Sequence, residues 1–160
     1  MDIKNIFVIG AGTMGNGIAQ VAATSGYEVT CMDVVPAALE KAKAGIAKST
    51  SKLLEKGTIT AEQKASTEKI HFVSDMATIG NADLVIEAAT ENPELKFKIF
   101  REMDEKAQPN AILSTNTSSI SITKIAGMTK RPGKVIGMHF MNPVPLMKLV
   151  EVIRGLGTSD

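Results

Sequence analysis

Short, nearly unbroken apolar runs alternate along this chain with longer stretches rich in Ala, Leu, Lys and Glu. Ile6 to Ile9, Glu28 to Asp33, Ile70 to Val73, Leu84 to Ala88, Ile112 to Ser114 and Val135 to Met138 are the runs. Turn or polar residues bound each one, as they bound buried parallel strands. Thr13 to Ser25, stopped by Gly26, reads as a helix. Beyond Pro36, which suits a first helical turn, Ala37 to Lys56 reads as a long helix ended by Gly57. Thr60 and Gln63 have the spacing of a capping box, and Pro93 to Ala107 and Ser121 to Gly127 suit two more helices. Strands alternating with helices predict an α/β fold, a doubly wound and mainly parallel sheet in a single domain. Lys148 to Ile153 alternates in the manner of an edge strand. Gly155 to Asp160 reads as a turn followed by helix-capping residues, so the expectation here is a free end or a fragment of a longer chain.

Composition narrows the class. A chain of 160 residues is about one domain, and 18 Lys+Arg against 17 Asp+Glu leave a net charge of +1. That balance gives no reason to expect nucleic acid or an anionic membrane, so any anion recognition must be local. Cys31 is the only cysteine, which excludes an intramolecular disulfide and suits a reducing, cytoplasmic setting. By itself it reads as a small buried hydrophobe. The start of the chain lacks the pattern of a secretion signal, and no apolar run approaches the roughly 20 residues that span a bilayer.

Gly10-Ala11-Gly12-Thr13-Met14-Gly15 sits between the first strand and the first helix. Gly10 allows the sharp exit from the strand, Gly12 a close backbone approach to a pyrophosphate, and Gly15 close packing of the helix on the sheet. The helix N-terminus, opening at Thr13 and Met14, offers free N–H groups and the positive end of its dipole to phosphates. Asp33 follows the turn by about 20 residues, where a carboxylate accepts the adenosine ribose hydroxyls and repels a 2′-phosphate. Glycine turns also serve backbone geometry alone, and Asp33 alone would read as a solvated strand end. Strand, turn, helix, strand and terminal acid in this order predict a Rossmann-type domain that binds NAD.

Ligands of parallel sheets bind outside the carboxyl ends of the strands. Ser114 to Ser119 follows one strand there, and His139 follows another and leads into Phe140-Met141-Asn142-Pro143. Read separately, the hydroxyls are helix caps and the histidine a loop or core residue. Read together, His139 is a proton acceptor near neutral pH, and Glu151 on the next β-prone stretch is the acid available to fix its tautomer. Oxidation of an alcohol with NAD needs such a base. Lys48, Lys52 and Lys56 share a helix face that suits phosphates, although a solvated face explains the same spacing.

From the Val8 to Gly15 segment through Asp83-Leu84-Val85-Ile86-Glu87-Ala88 to His139-Phe140-Met141-Asn142-Pro143-Val144-Pro145 and Met147 to Ile153, the chain resembles the NAD-binding domain of the L-3-hydroxyacyl-CoA dehydrogenase family. Within that family it looks most like the bacterial 3-hydroxybutyryl-CoA dehydrogenases. The resemblance implies that His139 is general base and acid toward the 3-hydroxyl and that Glu151 pairs with it. It implies that Ser118 contacts both the C3 oxygen and the nicotinamide side, and that Glu91, Lys96 and Asn142 surround the cofactor. Without it, Glu91 and Lys96 read as an exposed charge couple. It also implies that Ser49 and Lys56 contact coenzyme A, that no metal is needed, and that the partner is an acyl-CoA. The family's helical second domain, which carries dimerisation or higher homo-oligomer contacts, is absent from the 160 residues. The alternatives are therefore an NAD-binding module without turnover, or a dehydrogenase of a free hydroxy acid. Thr115 stands where the family pattern has Ser, and Met141 where an aromatic often follows Phe140; both changes are expected to affect packing only.

Overall fold

A computed structural model describes residues 2–160. Strand β1 (Asn5–Ile9) lies in the interior of a seven-stranded sheet with β2 (Glu28–Met32), β3 (His71–Val73), β4 (Leu84–Glu87), β5 (Ile112–Thr115), β6 (Val135–Phe140) and β7 (Val150–Arg154). The strand order is β3-β2-β1-β4-β5-β6-β7, parallel except for the antiparallel pair of β6 and β7. Winding reverses between β1 and β4, which opens a crevice at their carboxyl ends. The doubly wound, Rossmann-type sheet expected from the sequence is the observed fold.

Side chains alternate across each strand and supply two separate cores. Ile6 and Val8 face one side with Ile18, Ala19, Ala42 and Ile46, from α1 (Thr13–Thr24) and α2 (Pro36–Glu55). Phe7 and Ile9 face the other with Phe100, Met103 and Ile125, from α4 (Pro93–Lys106) and α5 (Ile122–Ala126). Burial on both faces is the reason the strands read as unbroken apolar runs.

Helix ends follow local chemistry to within one or two residues. Gly26 and Gly57 take φ of 98° and 71° just beyond α1 and α2, a conformation that a side chain disfavours. Thr60 and Gln63 form the reciprocal capping box at the start of α3 (Ala61–Thr67). Pro36 itself is the first residue of α2, one position before the expected start.

Two expectations fail at the far edge. Strand β6 continues past Met138 to Phe140, so His139 lies on the strand rather than after it. The reason is β7, whose antiparallel ladder pairs Met138, His139 and Phe140 with Val152, Glu151 and Val150. Edge strand β7 begins at Val150, two residues later than expected, and leaves Val152 and Leu149 exposed.

Candidate active site and cofactor crevice

The glycine turn occupies the crevice at the winding reversal. Gly10 has φ of 103°, and a Cβ there would meet the Ala88 carbonyl oxygen at 2.7 Å and Ala89 Cα at 2.8 Å. A Cβ on Gly15 would stand 1.7 Å from the Gly10 carbonyl oxygen, so Gly15 admits the turn itself rather than the sheet at large. Gly12 differs, because a Cβ there would meet nothing within 4 Å. Its backbone faces open space at the N-terminus of α1, with no side-chain cap and no acidic residue in the first turn. Free donors, a dipole and an unfilled approach suit a pyrophosphate.

Asp33 closes the turn. Its carboxylate accepts from the backbone N–H of Ala11 and of Val35, each at 2.9 Å, through separate oxygens. Each oxygen keeps a further acceptor site for a ribose hydroxyl. Beside it lies a cavity of about 320 Å³ whose walls include Met32, Val34, Leu95 and Ile99, apolar enough for a flat base. The residues present therefore fit NAD from phosphate to adenosine.

The reacting end is built by β5, β6 and β7. His139 Nδ1 is 3.2 Å from Glu151 Oε1, directly across the antiparallel pair. That contact assigns the Nδ1 proton toward the carboxylate and leaves Nε2 as the acceptor, with no partner among the described residues. Asn116 Oδ1 accepts from the Phe140 N–H at 2.9 Å, which ties the loop after β5 to the end of β6. Ser118 projects from that loop, exposed and without a partner among the described residues. Glu91 accepts from Thr117 Oγ1 at 2.9 Å and Ser119 Oγ at 3.3 Å, so it grips the same loop on both sides of Ser118.

Lys96 does not form a surface couple with Glu91. It is completely buried and pairs with Glu87, with Thr115 Oγ1 bridging them, 2.9 Å from Lys96 Nζ and 2.8 Å from Glu87 Oε1. Glu87 Oε2 also accepts from the Ala89 N–H at 2.9 Å, on the backbone pressed against Gly10. The expectation that Thr115 affects packing only is thus corrected, since its hydroxyl bonds a proposed cofactor residue. Glu87 escaped the sequence reading although a signal existed: an acid inside an apolar strand is buried only if paired.

A cleft of about 410 Å³ runs between α1, α2 and the loop after β6, bordered by Thr13, Ser49, Lys52, Lys56 and Asn142. Lys48 is not on its wall, so the expected three-lysine face narrows to two. No carboxylate lines it, which suits an anionic ligand.

A dinucleotide crevice joined to a histidine–carboxylate pair defines the class, an NAD-binding oxidoreductase domain. Residues 5–160 match the family model described as "3-hydroxyacyl-CoA dehydrogenase, NAD binding domain", and the chain belongs to that family. A protein of Deinococcus radiodurans named "Probable 3-hydroxybutyryl-CoA dehydrogenase" is 50% identical over 153 residues, 96% of this chain and 55% of the relative. The 3-hydroxybutyryl-CoA dehydrogenase of Bradyrhizobium diazoefficiens is 46% identical over 159 residues, 99% of this chain and 54% of its own length. The crystal structure of (S)-3-hydroxybutyryl-CoA dehydrogenase from Ralstonia eutropha superposes with a TM-score of 0.95 at 48% identity, covering 99% of this chain and 56% of that one. The chain thus spans about half the length of the curated relatives it matches.

Proposed function

We propose that the protein interconverts (S)-3-hydroxybutyryl-CoA, or a similar short 3-hydroxyacyl-CoA, and the corresponding 3-oxoacyl-CoA with NAD(H). The observation that carries this reading is the His139–Glu151 pair beside the loop that presents Ser118. NAD, when bound, would supply the acceptor for the hydride that leaves C3. His139 Nε2 takes the proton from the 3-hydroxyl, and Glu151 stabilises the imidazolium that results. Ser118 donates to the C3 oxygen and orients it. In reduction the same proton returns from His139 to that oxygen. Lys52 and Lys56 hold the phosphates of coenzyme A, and Ser49 supports them. The cations make a thioester of coenzyme A a better fit than a free hydroxy acid.

The proposal extends to the whole protein as a cytoplasmic homo-oligomer with a helical domain against this one. The exposed apolar residues Leu146, Leu149, Val152 and Leu156, in and on either side of edge strand β7, support further protein packed against this end of the sheet. No helix among the described residues is long and apolar enough to cross a membrane. A cofactor-binding module without turnover is not favoured, because it gives no reason for the His139–Glu151 pair.

The test is oxidation of NADH by acetoacetyl-CoA in the full-length protein and its His139→Gln variant. Loss of about 10²–10⁴ in kcat with NADH affinity retained is the expected outcome. Near-normal turnover by the variant overturns the assignment of the base.

A further inference from the structure

Gln20 lies in the third turn of α1, on the stripe Thr13, Asn16, Gly17, Gln20 that forms one wall of the 410 Å³ cleft. Only 2% of it is exposed, and its neighbours in the helix, Ile18, Ala19, Ala22 and Ala23, all belong to the apolar core. A polar side chain in such surroundings is costly unless its donors and acceptors are used. Half of its amide is accounted for: Nε2 donates to Ser49 Oγ at 3.0 Å, joining α1 to α2 across the floor of the cleft. The other half is not. Oε1 has no hydrogen-bond partner among the described residues, yet no fully buried polar atom there is left unpaired. The oxygen therefore keeps contact with solvent, and the cleft whose wall includes Gln20 is the space on hand to receive it.

The walls say what would meet it. Leu53, Pro143 and Val144 are apolar, Ser49 is a hydroxyl, and Lys52 and Lys56 are the only charges. The stripe on α1 covers about 10 Å of helix, and the one on α2 from Gly45 to Lys56 about 16 Å. A narrow ligand with methylene segments, internal amides and a phosphorylated end matches that sequence of surfaces. The pantetheine arm of an acyl-CoA has this chemistry.

We propose that Gln20 is a substrate-positioning residue: its side-chain carbonyl accepts an amide N–H of the pantetheine arm while its amide nitrogen holds Ser49 in place. The inference rests on the acyl-CoA reading above. It assigns Gln20 to binding of the arm, remote from the hydride and proton transfers. A glutamine kept only to pin Ser49 would gain nothing from an oxygen turned to the cleft.

The experiment uses the full-length protein with NADH and two substrates, acetoacetyl-CoA and the S-ethyl thioester of acetoacetate, which has no amide. Gln20→Leu is expected to raise KM for acetoacetyl-CoA about tenfold, the equivalent of about 1.4 kcal/mol. KM for NADH, kcat, and kcat/KM for the ethyl thioester are expected to stay within twofold of the parent. Should Gln20→Leu fail to fold, Gln20→Asn, which withdraws the carbonyl while keeping an amide, takes its place with the same expectation. An unchanged KM for acetoacetyl-CoA overturns the inference while leaving the proposed function standing. So does an equal loss with both substrates, which marks a structural role. Absence of acetoacetyl-CoA turnover in the parent protein overturns the proposed function and this inference with it.

Discussion

Lys96 and Glu87 meet as an ion pair with both side chains wholly withdrawn from solvent, nine residues apart in the chain and joined by the hydroxyl of Thr115. The pair ties the end of β4 to the first turn of α4 directly beneath the glycine turn. Glu87 also holds the Ala89 N–H, and Ala89 is the residue against which Gly10 is pressed. A buried ion pair is weak evidence for stability, because desolvation offsets most of its attraction. Its place under the cofactor crevice makes geometry the better explanation.

Removing one partner strands the other. Lys96→Met is expected to lower stability by about 3–5 kcal/mol, and Lys96→Met with Glu87→Leu to restore much of it. Urea unfolding measures both changes. A fluorescence titration with NADH is expected to find the double variant weak although stable, because the tie beneath the glycine turn is gone.

Thr115 gives a finer test. Thr115→Ser keeps the hydroxyl and is expected to bind NADH as the parent does. Thr115→Val keeps the shape but loses both hydrogen bonds, at about 1–3 kcal/mol. Equal urea midpoints for the two variants contradict the bridging role.

The turn glycines separate in the same way. Gly12→Ala is expected to fold with stability changed by about 0.5 kcal/mol or less, since its Cβ meets nothing, and yet to lose NADH affinity. Gly15→Ala places a Cβ 1.7 Å from a backbone oxygen and is expected to lower the melting temperature sharply. Calorimetry with and without NADH distinguishes them.

In the proposed reaction Glu151 acts through His139, which it faces at 3.2 Å. Glu151→Gln is expected to lower kcat and leave KM for NADH unchanged, with the largest loss where the imidazolium must be stabilised. A pH–rate profile identical to that of the parent, at equal kcat, argues against the pairing.

Cys31 is fully buried, and burial, with a smaller contribution from the Asp33 carboxylate, pushes its thiol up to about 12. The unfolded thiol ionises near its ordinary value of 9.0. Between these values the unfolded chain binds fewer protons than the folded one, so stability falls as pH rises, by at most about 1.4 kcal/mol per unit. Below pH 9 this group contributes no dependence. Denaturation at pH 8 and pH 10 measures the slope, and thiol labelling at pH 8 is expected only upon unfolding.

Much of the site was legible because its signals are local. The Gly10 to Gly15 turn, the acid at Asp33 and the capping box at Thr60 each depend on residues a few positions apart or on one strand-helix-strand unit. The strand alternation in Lys148 to Ile153 announces an edge strand, and Glu151 on that stretch is the acid available to His139, a pairing that the family resemblance also implies. The resemblance implies that Lys96 lies near the cofactor, and spacing alone offers an exposed couple with Glu91; its full burial against Glu87 depends on how deeply α4 packs, which residue types along the chain do not reveal.

The sequence by itself determined the alternation of strands and helices, the sheet class and the dinucleotide turn, because hydrophobic period, caps and glycine conformations act over short stretches. Only the tertiary structure decided that β7 runs antiparallel to β6, setting Glu151 opposite His139. It alone buried Lys96 against Glu87 and brought Gln20 to Ser49 across a cleft. These pairings join side chains on different elements, and the packing that unites them depends on both faces of the sheet being filled at once.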